Sequence, residues 1–110
     1  MKHLIFFALT SLLTLSASAQ SKLSADSVRT VEAACGECKF AMKGKGCNLA
    51  VRIDGKAYFV DGTKIDQHGD AHADDGFCNM VRKAAVTGAV VNDRFAATSF
   101  KLLPVEKAKQ

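Results

Sequence analysis

The chain lacks the signatures by which most enzyme classes are recognised. Its 110 residues contain no Gly-x-Ser-x-Gly elbow, no phosphate-binding loop and no dinucleotide fingerprint. It has no internal repeat, which excludes solenoids and propellers. Its single proline, Pro104, falls after the last strand-like run rather than inside one. Leu4 to Leu15 is its apolar run, too short for a membrane span, and no second candidate exists. Neither sign of charge dominates. The formal net charge is +4, and loss of Lys2 on processing would leave +3. That balance is ordinary for a soluble exported protein and gives little basis for nucleic-acid binding, even though Lys39, Lys43 and Lys45 cluster in one segment.

What is present begins with an export signal. Lys2 and His3 precede the apolar run, and Ala17-Ser18-Ala19 supplies the small-x-small pattern of a cleavage site. The expected organisation is a signal peptide over 1–19, a flexible lead-in over 20–27, one small globular domain over 28–104 and a charged tail over 105–110. The destination is the periplasm or the extracellular medium. In such a compartment Cys35, Cys38, Cys47 and Cys78 are expected to form two disulfides. A mature chain of about 91 residues buries a modest core, so each staple would add roughly 2–4 kcal/mol.

The clearest local signal is Asp54-Gly55 between two alternating runs, Leu49–Ile53 and Lys56–Val60. Both turn residues must take positive φ, which Asp-Gly tolerates, so a two-residue hairpin is expected. Its register pairs Ile53 with Lys56 and Val51 with Tyr58. One face then carries Leu49, Val51, Ile53, Tyr58 and Val60, the core face. Ser27 to Ala34 reads as an earlier strand. Val86–Val91 and Phe95–Leu103 read as a second hairpin about Asn92-Asp93. Ala71 to Ala84 shows Phe77, Met80, Val81 and Ala84 at helical spacing, with Asp70 as cap, although Gly76 would cost that helix about 1 kcal/mol. Five strands with one helix between the third and fourth is the element order of a small OB-like barrel, mainly β with one short helix. A small open α+β sheet has the same order.

Three pairings of four cysteines exist. If Cys38–Met42 formed a regular hairpin with Cys47–Val51, Cys38 and Cys47 would lie roughly 13 Å apart along the strand. A disulfide needs Cα atoms within about 7 Å, which argues against Cys38–Cys47. Cys35–Cys38 with Cys47–Cys78, and Cys35–Cys47 with Cys38–Cys78, both survive. Glycines at both ends of the loop favour the second.

Three functions compete. A disulfide-stapled, monomeric, non-enzymatic module that binds a small ligand or a protein is the leading expectation. The runner-up is a transition-metal protein using His68, Asp70 and His72, whose imidazoles and carboxylate suit zinc, copper or nickel. The third is a thiol-disulfide redox protein using Cys35-Gly36-Glu37-Cys38, which requires a helix N-terminus to lower the first thiol's pKa.

The run CGECKFAMKGKGCNLAVRIDGKAYFVDGTKIDQHGDAHADDGFCNMVRKA, followed by VTGAVVNDRFAATSFKLL, resembles an uncharacterised family of small exported bacterial proteins, a domain of unknown function. The resemblance covers Cys35 to Leu103. It implies no substrate and no catalytic residues.

Overall fold

In a computed structural model of the chain, residues 27–105 are described. The expected signal peptide over 1–19, most of the expected lead-in over 20–27 and the tail beyond residue 105 lie outside the described residues.

Five strands close on themselves. β1 (Arg29–Cys35), β2 (Leu49–Ile53), β3 (Lys56–Asp61), β4 (Arg82–Val91) and β5 (Arg94–Leu102) form a barrel in the order β1-β2-β3-β5-β4, and β4 pairs back to β1. The chain is mainly β, with one short helix, α1 (Gly36–Lys39), and a 3-10 turn over Ile65–His68. Closure leaves no free sheet edge. Every neighbouring pair is antiparallel except β3 and β5, which run parallel and share only two registered pairs, Val60–Phe95 and Asp61–Ala96. That junction is the narrowest seam of the wall.

Both hairpins form at the expected turns. Asp54 and Gly55 have φ of 51° and 82°, and Ile53 pairs with Lys56 and Val51 with Tyr58. Asn92 and Asp93 have φ of 51° and 63°, between Val91 and Arg94. The expected inward face is the observed one. Leu49, Val51 and Val60 are buried in the core, and Ile53 and Tyr58 pack against it half-buried. Val31, Ala33, Ala84, Val86 and Phe95 complete the core from the other strands.

The helix expected over Ala71–Ala84 does not form. Residues 71–80 wind through successive tight turns, and β4 begins at Arg82. Gly76 is one cause. It is buried so close to the carbonyls of Asp70 and Ala71 that no side chain fits. The Asp70 carboxylate accepts from the His72 amide at 2.9 Å, closing a local turn instead of capping a helix. The Asn79 side-chain Nδ2 donates to the carbonyls of His72 and Ala73, at 3.0 and 2.8 Å, and holds the coil together. The apolar positions thought to form a helical stripe split between two roles. Phe77, 2% exposed, plugs the barrel, whereas Val81 is 38% exposed and Ala84 belongs to the inward alternation of β4.

The regular hairpin assumed between Cys38–Met42 and Cys47–Val51 is also absent. After β1 the chain turns through α1, and the amides of Phe40 and Met42 both donate to the Gly36 carbonyl at 3.1 Å. Gly36 makes this possible, because a Cβ there would meet Met42 Sδ and Phe59 Cε1 at 2.8 Å. With that hairpin gone, its objection to pairing Cys38 with Cys47 falls too.

Candidate metal centre

Three separate segments deliver sulfur to one place. Cys35 ends β1, and Cys38 lies one helical turn later in α1. Cys47 leads into β2, and Cys78 follows the plug residue Phe77. Backbone bonds lock these segments together. The Cys35 amide donates to the Phe77 carbonyl at 3.0 Å, the Gly36 amide to Asn48 at 2.8 Å, and the Cys78 amide to Ala71 at 2.9 Å. The four Sγ atoms lie within 4.8 Å of one another. Cys35 is buried, Cys47 and Cys78 are half-buried, and Cys38 is exposed. The centre therefore has a buried side and a solvent side.

The sulfurs are adjacent but not bonded. The Sγ atoms of Cys47 and Cys78 are 2.8 Å apart. That distance lies between an S–S bond of about 2.05 Å and the separation of roughly 3.8 Å that four thiolates adopt around an ion at about 2.3 Å. Burial pushes the thiols of Cys35 and Cys47 above the ordinary cysteine range. A buried thiol of that kind stays protonated until a cation takes the proton's place.

Glu37, inside the Cys35–Cys38 turn, braces the centre. Its carboxylate accepts from the Asn48 amide at 2.9 Å and from the Asn48 side chain at 2.5 Å, and the Cys35 thiol lies 3.5 Å away. Asn48 in turn donates to the Lys45 carbonyl at 3.1 Å, which fixes the loop carrying Cys47. Partial burial raises the Glu37 pKa, but the Asn48 hydrogen bonds outweigh it and hold the carboxyl below its usual range. Glu37 carried no motif of its own. Only its place between two cysteines marked it.

The family model for a family of unknown function matches residues 29–103, the whole barrel and all four cysteines. The chain belongs to the DUF6370 family. No curated protein and no solved structure matches it. The DUF6370 chain therefore has to be read from its own geometry.

His68, Asp70 and His72 occupy other roles. The His68 ring packs on Phe100 with centroids 4.5 Å apart and meets Phe77 edge-on at 6.4 Å, while its Nε2 shares a hydrogen bond of 2.8 Å with Thr63 Oγ1. Asp70 is engaged with the His72 backbone, and the His72 side chain is exposed. Among the described residues, the cluster of three or more metal-ligating groups that the fold assembles is the four cysteines. Cys-x-x-Cys thus finds its partners in Cys47 and Cys78. No helix in the described residues is long and apolar enough to cross a membrane.

Proposed function

We propose that this DUF6370 protein is a small exported, monomeric, non-enzymatic binding module whose ligand is one thiophilic transition-metal ion. Cys35, Cys38, Cys47 and Cys78 would be its ligands, with zinc or copper(I) as the class of ion. The carrying observation is the convergence of four sulfurs, from three chain segments, within 4.8 Å. The Glu37–Asn48 brace supports the same reading, since metal ligands are held in place by hydrogen-bonded neighbours. An ion would also keep the thiols from pairing in an oxidising periplasm or medium.

The redox alternative at Cys35 and Cys38 has less support. Cys35 is fully buried, and its thiol is pushed up rather than down. One observation favours a second reading. The 2.8 Å approach of Cys47 to Cys78 suits a disulfide there, leaving Cys35 with Cys38. In that case the protein is a stapled barrel that binds a small ligand or a protein.

Intact-mass spectrometry of the exported chain, prepared without oxygen, separates the two. The metal reading predicts one ion per chain under native conditions, and four alkylatable thiols once denatured with chelator. A metal-free chain four hydrogens lighter than its reduced mass would replace the first reading with the second.

A further inference from the structure

Beside the sulfur centre the barrel wall opens into a cleft of about 420 Å³ lined by Cys47, Thr63, Lys64, Asp66 and Arg94. Its size falls within the range of small-molecule sites, about 300–1,000 Å³. It sits where β3 meets β5, with the 3-10 turn contributing Asp66. Its chemistry is mixed. Arg94 is already neutralised by Asp61, at 2.9–3.0 Å. Lys64 and Asp66 are exposed and join no ion pair among the described residues. The cleft thus offers one ammonium, one carboxylate and one sulfur of the metal centre.

A molecule that matches all three groups carries a carboxylate, an ammonium and a thiol. We propose, resting on the metal assignment above, that the cleft receives a small zwitterionic thiol of the cysteine class, which brings the ion to the centre and takes it away. The carboxylate of the carrier pairs with Lys64 and its ammonium with Asp66. The step is ligand exchange without redox change. The bond from the ion to the carrier's sulfur breaks, a bond to Cys47 Sγ forms, and the Cys47 proton leaves with the released carrier thiol. Cys35, Cys38 and Cys78 then displace the ion's remaining ligands one by one, each giving its proton to the departing ligand or to solvent water.

The experiment follows loading of the apo, reduced, full mature chain with zinc. The ion is supplied either as its cysteine complex or as its 2-mercaptoethanol complex, at matched free-zinc concentration. The wild type is expected to load about tenfold faster from the cysteine complex, the order that two exposed ion pairs give together. Lys64→Ala combined with Asp66→Asn should erase that advantage while leaving the equilibrium zinc affinity within about twofold, because neither residue is a ligand. Both side chains are exposed, so an unchanged circular-dichroism spectrum is the expected control. Equal rates from both complexes in the wild type, or an advantage that survives the double substitution, would overturn the carrier proposal and leave the metal centre standing. Wild-type protein that takes zinc from neither complex, and copper(I) from neither of the corresponding thiol complexes, would overturn the metal centre itself.

Discussion

At the scale of single residues, Glu37 and His68 hold the most consequence. Glu37 joins the Cys35–Cys38 turn to the Cys47 loop through Asn48, so its loss loosens three of the four cysteines at once. Glu37→Ala should weaken the metal about 10–100-fold, the usual cost of removing a hydrogen-bonded neighbour of metal ligands, measured by competition with a chromophoric chelator. Unchanged affinity would deny it that role. His68 sits against Phe77 and Phe100, and burial holds its imidazole below the ordinary value of 6.5. The unfolded chain therefore takes up the proton first. The stability that neutral His68 gives is complete above about pH 6.5 and drains away as pH falls from there to the depressed folded value. Urea midpoints should drop between pH 7.5 and 5.5 in the wild type and much less in His68→Gln. Asp61 and Glu37, whose carboxyls are held low, lose their contribution only at more acid pH. The sequence displayed His68 and His72 as a donor pair because their spacing is right for a helix. It could not display the aromatic pocket around one of them, because Phe100 lies 32 residues further along.

At the scale of elements, the turns were readable and the coil between β3 and β4 was not. Asp54-Gly55 and Asn92-Asp93 announce positive φ through their own side chains, and the register of each hairpin follows from its turn. The 71–80 segment has helical spacing, yet its conformation is decided by the crowding around Gly76 and by side-chain bonds from Asn79, which no periodicity encodes. The same limit applies to Gly88. It carries the irregularity between Thr87 and Gly88 in the β4–β5 ladder, at φ 145°, with the Ala96 carbonyl where a Cβ would go. Gly88→Ala should cost about 1–3 kcal/mol or more, from backbone strain together with that contact, read as a lower urea midpoint. A midpoint equal to wild type would mean that the strand relaxes freely there. Phe77 is the other element-scale test. It fills the barrel end and its carbonyl ties Cys35 beside Cys78, so Phe77→Ala should cost about 3–5 kcal/mol. Phe77→Leu, with less volume lost, should remain folded and show whether metal binding weakens along with packing.

At the scale of the whole molecule, the five strands in chain order and the inward face of the β2–β3 hairpin were legible because alternation and turn chemistry are local, while the start of β4, Arg82 to Ala84, read as helix. The sulfur centre was legible only in its parts. Four cysteines were visible, but their meeting point depends on β1, β2 and the plug segment closing over one barrel end. If the ion binds the folded chain alone, free ion at 100 times its dissociation constant adds about 2.7 kcal/mol of stability. For a domain of this size that raises the melting temperature by about 10–20 °C, and chelator should reverse it. A melting curve indifferent to zinc, copper(I) and chelator would contradict the metal reading. The junction of β3 with β5 has a consequence for traffic. Two paired positions stitch it, against eight between β4 and β5. Amide hydrogens near Val60 and Phe95 will swap with deuterium sooner than those along β4. If the wall parts there first, the opening lies next to Cys47, and a ligand of the proposed centre would enter and leave while the rest of the cylinder stays shut.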